Sequence, residues 1–312
     1  MIETSALRDE VALALRDGPE IETIALHPHA YRTSHQLVNV DVMYTDGSSE
    51  SLVLKDLGPK SLVDASGAGP AFARDPVREI EVYRDLLARA GLGTAALRCA
   101  RVDTSRPTFW LLIERVEATE LWQVGSADAW CSVATWLADM HLQLRDASSG
   151  HLVRWTPGYA ASWIERAGQL CSDAAVQAAA RRSDDLAERL LALPVGFIHG
   201  ELYASNVLFD ERGGRICPVD WEMAGVGPLL LDLAALTSGA WTEHERREIA
   251  AAYWRRAGSA ASFDQFLADL DMCRLHIALQ WLGWSGDWVP PPEHAHDWLA
   301  DVRMLVERVG VA

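Results

Sequence analysis

FIHGELYASNVLFD, residues 197–210, places a polar stretch between two short apolar runs. The apolar runs are typical of short buried strands, and the residues between them predict a loop. This loop presents His199, Glu201 and Asn206, with the carboxylate and the amide five residues apart. A loop that leaves a buried strand and carries such groups is a candidate for chemistry rather than for packing.

The chain just beyond this loop supplies a second carboxylate. After VLFD, the turn ERGGR leads into ICPVDWE, which contains Asp220. This spacing predicts a short hairpin that returns the chain to its starting point. Glu201, Asn206 and Asp220 would then surround one point. Oxygen ligands of this kind suit Mg²⁺, which keeps several waters and takes further ligands from phosphate groups.

A phosphate-binding site also needs a cation. Lys55, at the end of the alternating strand SLVLK, is the candidate. A buried lysine requires a carboxylate partner. Glu79 and Glu81 both lie on the next predicted helix, and Glu79 is the predicted partner because it shares a helix face with Tyr83, four residues on.

The sequence before residue 118 is rich in strand signals. Residues 37–57, LVNVDVMYTDGSSESLVLKDL, predict a β-hairpin that turns at Asp46-Gly47. Residues 75–93 predict a helix with Asp75 as N-cap, Pro76 in its first turn and Gly91 at its end. Residues 108–116, TFWLLIERV, predict a buried strand.

The remainder of the chain is mainly helical in pattern. A helix is predicted over 126–145, one or two more over 163–193, and further helices from 229 to the end, with a break at 288–294. We therefore predict an α+β protein with two domains, 1–117 and 118–312. The first would be a small lobe of antiparallel sheet plus one helix and the second a larger, mainly helical lobe, with a ligand site in the cleft between them.

The composition of the chain limits the classes of molecule that we expect this protein to bind. The formal net charge of −16 argues against nucleic acid or an anionic membrane as a partner, and it is compatible with a cationic small molecule. The five cysteines show no paired spacing, so we expect a reducing, cytoplasmic environment. The N-terminal residues do not resemble a signal peptide, and no apolar run approaches the ~20 residues of a membrane span.

Six segments, in order, resemble motifs of one family, the aminoglycoside phosphotransferase and choline kinase superfamily, whose members have a protein-kinase-like fold. They are LVLK (phosphate-binding lysine), REIEVYRDLL (its partner helix), WLLIERVEATEL (hinge strand), IHGELYASN (the HGDxxxxN loop), VDWE (metal-binding aspartate) and GPLLLDLAAL (a helix whose aspartate, Asp232, braces the loop). Single motifs of this length are weak signals, whereas six in the correct order are a strong one.

This resemblance implies transfer of the γ-phosphoryl group of ATP or GTP, with Mg²⁺, to a hydroxyl of a small molecule such as an aminoglycoside or other antibiotic, an amino alcohol or a sugar. It implies the following roles: Lys55 and Glu79 at the nucleotide phosphates, the backbone of Glu114 to Val116 at the adenine, Asn206 and Asp220 at the metal, and Glu201 at the acceptor hydroxyl. The family's phosphate-covering turn would fall at Thr33 and Ser34.

The sequence departs from the family at Glu201, because the family has aspartate there. Glutamate reaches one methylene further but keeps the charge, and its reference pKa is only ~0.4 units higher. Because Lys55, Asn206 and Asp220 are all present, we expect a working enzyme. Three alternatives remain: an impaired, pseudokinase-like protein that binds nucleotide or another ligand, a kinase of peptide Ser or Thr, and transfer of an adenylyl group.

Four tryptophans lie near the C-terminus: Trp281, Trp284, Trp288 and Trp298. Their spacing predicts helix packing, since aromatic residues one helical turn apart are mostly core residues. The alternative is that they wall an acceptor pocket and hold a cationic group through cation–π contacts.

Overall fold

The computed structural model describes residues 4–29, 35–59, 74–284 and 295–311. The chain divides into two compact units, of which the first ends at Glu117 and the second continues from Ala118. Among its described residues, the first contains an antiparallel sheet and two helices, one before the first strand and one between the third and fourth strands, and the second is mainly helical. The predicted α+β class is therefore confirmed.

The sheet of the first unit has five antiparallel strands in the order β1-β2-β3-β5-β4. Its elements are α1 (Thr4–Ala14), β1 (Ile21–Pro28), β2 (Gln36–Tyr44), β3 (Ser49–Asp56), α2 (78–90), β4 (Leu97–Asp103) and β5 (Thr108–Glu114). Leu52 and Leu54 of β3 pack in one core with Val11 of α1 and with Leu15, which directly follows that helix. Because side chains alternate along a strand, Lys55 points to the opposite face.

The predicted hairpin is present as β2 and β3. The Asp46 carboxylate accepts a hydrogen bond from the backbone amide of Ser48 at 2.9 Å, which closes the turn. Gly47 has φ = 83°, a left-handed conformation that glycine adopts at little cost. The local turn signal therefore sets the register that places Lys55 opposite Leu37.

Helix α2 begins later than predicted. The Asp75 carboxylate accepts from the amide of Val77 at 2.9 Å, so it closes a turn ahead of the helix, which begins at Arg78. The segment Val82–Leu87 is a π-helical turn, which the sequence pattern does not reveal. Gly91 ends the helix with φ = 62°, as predicted.

The second unit contains two small sheets, with strand orders β10-β9-β6 and β7-β11-β8. Its strands are β6 (Thr119–Glu120), β7 (Val153–Arg154), β8 (Val195–Ile198), β9 (Val207–Phe209), β10 (Ile216–Pro218) and β11 (Gly225–Pro228). Its helices are α3 (Leu121–Val124), α4 (Ala127–Gln143), α5 (Pro157–Leu170), α6 (Ala174–Ala180), α7 (Ser183–Leu191), α8 (Leu230–Leu236), α9 (Glu243–Ala257), α10 (Phe263–Trp284) and α11 (Trp298–Val309).

The prediction of one or two helices over 163–193 was wrong in number and start. Three helices occupy this region, and the first begins at Pro157. The Thr156 hydroxyl accepts from the amide of Tyr159 at 3.1 Å, and Asp173 caps the next helix by accepting from Ala175 at 2.9 Å. The Thr156 cap sets the early start of the first helix, and the Asp173 cap separates the second helix from the first.

Helix α8 lies at the centre of the second unit, and all seven of its residues are buried. Helices α4 and α10 pack against it. Among the described residues, no helix combines the length and apolar character needed to span a membrane.

Asp232 of α8 is the polar centre of this core. Its side chain is fully buried, and its carboxylate accepts from the backbone amides of His199 at 2.7 Å and Gly200 at 2.8 Å. It also accepts from His141 Nε2 at 3.2 Å, and His141 Nδ1 in turn accepts from the Tyr253 hydroxyl at 2.8 Å. The interpretation of Asp232 as the residue that braces the loop is confirmed.

We expect Asp232→Ala to lower the free energy of unfolding by about 3 kcal/mol, because it leaves three buried donors without an acceptor. Asp232→Asn, which keeps one acceptor oxygen, should cost less. Urea denaturation measures both, with Asp146→Asn at an exposed site as the control. A loss for Asp232→Ala no larger than that of the control would contradict the role of this carboxylate.

His276 of α10 is 3% exposed, and neither ring nitrogen has a hydrogen-bond partner within the described part of the chain. Burial lowers its pKa from 6.5 to about 3. The folded protein therefore keeps this ring neutral, whereas the unfolded chain binds a proton as the pH falls below about 6.5. Protonation stabilises the unfolded state, so stability contributed by the neutral ring decreases as the pH falls from about 6.5 toward 3.

We expect His276→Met to remove this dependence. Below pH 6, the wild type should lose about 1.4 kcal/mol more per pH unit than the variant. Urea unfolding at pH 6.0 and 5.0 measures the difference, and His244→Gln, at a mostly exposed position, should leave the slope unchanged. Parallel curves for the wild type and His276→Met would show that the ring is protonated in both states.

Candidate active site

In the first unit, Lys55 and Glu79 form a buried ion pair. Lys55 Nζ lies 2.7 Å from Glu79 Oε2, and the two residues are 5% and 1% exposed. β3 supplies the lysine and the first turn of α2 supplies the glutamate. Such a pair is costly to bury, so a structural role is a weak explanation for it. It does hold an ammonium group in a defined orientation, which is what phosphate binding requires.

The segment predicted to hold the adenine follows β5. Within the first unit, the Glu114 amide donates to Ala96 O at 2.8 Å and the Arg115 amide to Ser51 O at 2.9 Å. The Arg115 guanidinium donates to Asp41 Oδ1 and Ser51 Oγ, both at 2.8 Å, and lowers the pKa of Asp41. This segment is therefore fixed to β2 and β3 up to Val116. Thr33 and Ser34, the other predicted nucleotide contacts, lie outside the described residues.

In the second unit, the hairpin of β9 and β10 brings Asn206 and Asp220 together. Val207 pairs with Pro218, so Asn206 immediately precedes one strand and Asp220 follows closely after the other. The Val219 amide donates to Asn206 O at 2.9 Å and closes this end of the hairpin. The two predicted metal ligands are thus neighbours because of strand pairing.

The backbone at Asp220 is unusual. Asp220 has φ = 66° and ψ = 63°, and it is the single non-glycine residue with positive φ in the described part of the chain. Aspartate tolerates this left-handed conformation better than most residues. Strained backbone of this kind is concentrated at functional sites, because the surrounding structure must offset its cost.

The loop from His199 to Asn206 is held at both ends. Gly200 has φ = 88°, and a Cβ at this position would lie 2.3 Å from Met223 O, so only glycine fits. At the other end, Asn206 Nδ2 donates to Glu201 O at 2.9 Å. This bond turns the amide nitrogen toward the loop and leaves the amide oxygen of Asn206 available to a ligand.

His199 is fully buried and connects the loop to the hairpin. Its Nε2 donates to Val219 O at 3.0 Å, and its Nδ1 accepts from the Glu201 amide at 3.3 Å. His199 therefore braces the loop through backbone groups. The backbone of Val219, next to Asp220, therefore forms hydrogen bonds with both His199 and Asn206.

The aromatic residues beside the loop form a contact that the sequence did not indicate. Trp281 Nε1 donates to the Tyr203 hydroxyl at 2.6 Å, and the Trp281 ring stacks on Trp298 at 5.4 Å. Burial, together with the charge of Glu201, raises the pKa of Tyr203 well above its usual range. The Tyr203 hydroxyl group therefore stays neutral, and it lies close enough to Glu201 for the two groups to interact electrostatically.

The C-terminal tryptophans are packing residues, as predicted, although Trp288 lies outside the described residues. Trp284 stacks on Trp163 at 5.6 Å, with the ring planes 4° apart. Together these residues form an aromatic cluster of Trp163, Trp281, Trp284 and Trp298. The bond from Trp281 to Tyr203 shows that this cluster adjoins the Glu201 loop. The only signal for it in the sequence is a tyrosine inside the motif, and its partner lies 78 residues away.

The donor set at the hairpin suits Mg²⁺. Asp220 offers a carboxylate and Asn206 an amide oxygen, and Mg²⁺ is usually held by one or two carboxylates together with waters and substrate phosphates. In the described ranges, no group of three or more His, Cys, Asp and Glu side chains could hold a metal.

Comparison with solved structures shows the fold. A choline/ethanolamine kinase family protein from Mesorhizobium loti is 18% identical, with a TM-score of 0.60 over 98% of this chain and 93% of the other. A microcompartment-associated aminopropanol kinase is 16% identical, with a TM-score of 0.61 over 97% and 94%. An amicoumacin kinase in complex with AMP-PNP and Ca²⁺ is 12% identical, with a TM-score of 0.59 over 100% and 98%. The protein-kinase-like fold predicted from the sequence is therefore confirmed.

Sequence comparison gives the family. Among curated proteins, none matches this sequence significantly. The profile of the phosphotransferase enzyme family (APH) matches residues 39–269, a span that contains Lys55, Glu79, Glu201, Asn206 and Asp220. The chain belongs to the phosphotransferase enzyme family.

Proposed function

We propose that this protein transfers the γ-phosphoryl group of ATP or GTP to a hydroxyl group of a small molecule. The observation that carries the proposal is the β9–β10 hairpin, which sets Asn206 beside Asp220 at the end of the loop that presents Glu201. Membership of the phosphotransferase family supports the reaction type. Phosphoryl transfer depends mainly on positioning and charge stabilisation, and these groups are suited to both.

In the first unit, Lys55 would bind the α- and β-phosphates. Its ion pair with Glu79 holds Nζ in place before the nucleotide arrives, so less side-chain entropy is lost on binding. The backbone of Glu114 and Val116 would contact the nucleobase. These residues are two apart, so their backbone groups face the same side of an extended segment. Contacts from Thr33 and Ser34 to the phosphates remain a prediction.

In the second unit, Asp220 and Asn206 would hold Mg²⁺. A bound magnesium ion would neutralise charge on the phosphate oxygens during transfer. The left-handed backbone of Asp220 and the bond from Asn206 Nδ2 to Glu201 O fix both donors in advance. This preorganisation is the protein's own contribution to metal binding.

Glu201 would orient the acceptor and take up its proton. The hydroxyl oxygen forms a bond to the γ-phosphorus, the bond from that phosphorus to the β–γ bridging oxygen breaks, and the hydroxyl proton passes to the Glu201 carboxylate. Asp232 and Asn206 hold the backbone on both sides of Glu201. The extra methylene therefore extends the carboxylate toward the acceptor, because the loop cannot retreat to compensate.

We propose a cationic acceptor, such as an amino alcohol or an aminoglycoside. The net charge of −16 favours the approach of a cation. The solved relatives include kinases of choline, ethanolamine and aminopropanol families. We expect the protein to act in the cytoplasm.

Glu201 also motivates a second candidate function, that of a nucleotide-binding protein without transfer activity. Metal-dependent phosphorylation of any acceptor excludes it. The mass of the product separates phosphoryl from adenylyl transfer, and the identity of the acceptor separates a small-molecule kinase from a peptide kinase.

We expect Asp220→Asn to abolish the magnesium-dependent part of nucleotide binding while leaving the fold intact. A ligand that binds only the folded state stabilises it, by about 2.7 kcal/mol at a hundredfold excess over its dissociation constant. Thermal unfolding with ATP or GTP, with and without Mg²⁺, measures this effect, and Asp146→Asn serves as the control. A full magnesium-dependent shift in Asp220→Asn would refute the metal assignment.

We expect Glu201→Asp to reduce the rate of transfer about tenfold, because the shorter side chain withdraws the base from the acceptor. Glu201→Gln should reduce it further, by about a hundredfold, because it removes the base. Single-turnover measurements with an acceptor found by screening test both variants. A faster reaction in Glu201→Asp would identify Glu201 as a damaging substitution, and equal rates in all forms would remove it from the mechanism.

A further inference from the structure

A cavity lies among three helices of the second unit. It has a volume of about 320 Å³ and is lined by residues of α9, α10 and α11. None of the residues assigned above to nucleotide, metal or acceptor lines it. Four of its lining side chains are guanidinium groups: Arg246, Arg247, Arg274 and Arg308.

Three carboxylates in the same wall pair with three of these arginines. Arg274 lies 2.7 Å from Asp271. Arg308 lies 3.4 Å from Asp271 and 3.6 Å from Glu243. Arg247 makes a longer contact of 3.9 Å with Asp264. These contacts provide counter-charges for three of the four arginines. Arg246 is the lining arginine that has no ion pair among the described residues.

Arg246 differs from the other three arginines because the hydrogen-bond partners of its guanidinium group are backbone carbonyl oxygens. It is 9% exposed, and its Nη atoms donate to two backbone carbonyl oxygens, those of Thr237 and Trp241. Its Nε has no hydrogen-bond partner among the described residues. Carbonyl oxygens satisfy N–H groups but carry no net charge, so the charge of Arg246 is not neutralised by them.

The surroundings of Arg246 make this charge costly. Burial and the like charge of Arg274 lower the pKa of Arg246. Glu243, Asp271 and Asp301 oppose this effect from further away. All three are already engaged, since Glu243 and Asp271 face Arg308 and Asp301 accepts from His296 Nε2 at 2.7 Å. A buried cation without a close counter-charge is a recognised source of instability and an anchor for an anion.

We propose that this cavity binds the carboxylate group of a small, singly charged molecule, with Arg246 and Arg274 as the recognising residues. Arg246 and Arg274 are both largely buried, so water solvates their charges poorly and an anion that reaches them compensates for the lost hydration. The anion carries a single charge because Glu243, Asp264 and Asp271 in the wall would repel a dianion. The cavity has room for more than a carboxylate, so the bound molecule can carry a small organic body.

Acetate is the probe, titrated into the full chain with chloride exchanged for acetate at constant ionic strength. Heteronuclear NMR of arginine Nε–H groups reports the site directly. We expect a saturable shift of the Arg246 signal with a dissociation constant on the order of 1–10 mM, reasonable for a ligand of four heavy atoms. Acetate should also raise the thermal unfolding midpoint by mass action.

Three variants test the assignment through their response to acetate rather than through their own stability. Arg246→Gln should weaken binding at least tenfold. Arg255→Gln, exposed on the same helix and outside the cavity, should leave it unchanged. Asp264→Asn, whose side chain is 93% exposed at the rim, should bind acetate a few-fold more tightly because it removes a repelling charge. This last variant carries little risk of misfolding and tests the site even where Arg246→Gln does not fold.

Two results would overturn the proposal. One is the absence of a saturable response to acetate in the wild type, and the other is an equal response in the wild type and Arg246→Gln. Inorganic phosphate at pH 8, where it is largely a dianion, should bind more weakly than acetate. Tighter binding of phosphate would contradict the singly charged ligand.

Discussion

The carboxylate of Asp232 is the interaction on which the candidate active site depends. Backbone amides at the end of a buried strand need acceptors, and water cannot supply them inside the core. Asp232 accepts from two such amides at the end of β8, those of His199 and Gly200. His199 Nε2 then donates a hydrogen bond to the Val219 carbonyl oxygen, and the Val219 amide donates one to the Asn206 carbonyl oxygen. One buried side chain thus orders the loop, the hairpin and, through them, the residues that we assign to the metal.

Local sequence signals predicted the elements whose structure is decided locally. The hairpin of β2 and β3 follows from an Asp-Gly turn and alternating side chains, and both signals lie within its own residues. The position of Lys55 follows from that alternation, because Leu54 must face α1. The hairpin around Asn206 and Asp220 was predictable for the same reason.

Other features were decided by tertiary contacts or by competing local bonds, and the sequence did not reveal them. Asp75 has the form of an N-cap, yet its carboxylate closes a turn one step earlier and the helix begins at Arg78. The π-helical turn at Val82–Leu87 has no compositional signature. The bond between Trp281 and Tyr203 joins distant parts of the sequence, so neither residue indicates the other.

Two buried cations in this acidic protein are held in contrasting ways. Lys55 has a carboxylate at 2.7 Å, so the pair is close to neutral, and the ion pair holds the ammonium group in a defined orientation. Arg246 has carbonyl oxygens as hydrogen-bond partners, so its charge persists inside the core. The Lys55–Glu79 pair suits the nucleotide of the proposed function, which would arrive together with a metal ion. The uncompensated charge of Arg246 suits an anion without a metal ion.

The same reasoning defines what the exchange of aspartate for glutamate can do at position 201. A longer side chain on a mobile loop would be absorbed by a small backbone shift. Here the preceding residue is a glycine against Met223 O, the following segment is tied by Asn206, and the neighbouring Tyr203 is anchored by Trp281. The backbone cannot move to compensate, so the added methylene changes the position of the carboxylate itself. A group placed about 1 Å further out meets a differently placed hydroxyl, and for this reason we read Glu201 as a determinant of acceptor geometry.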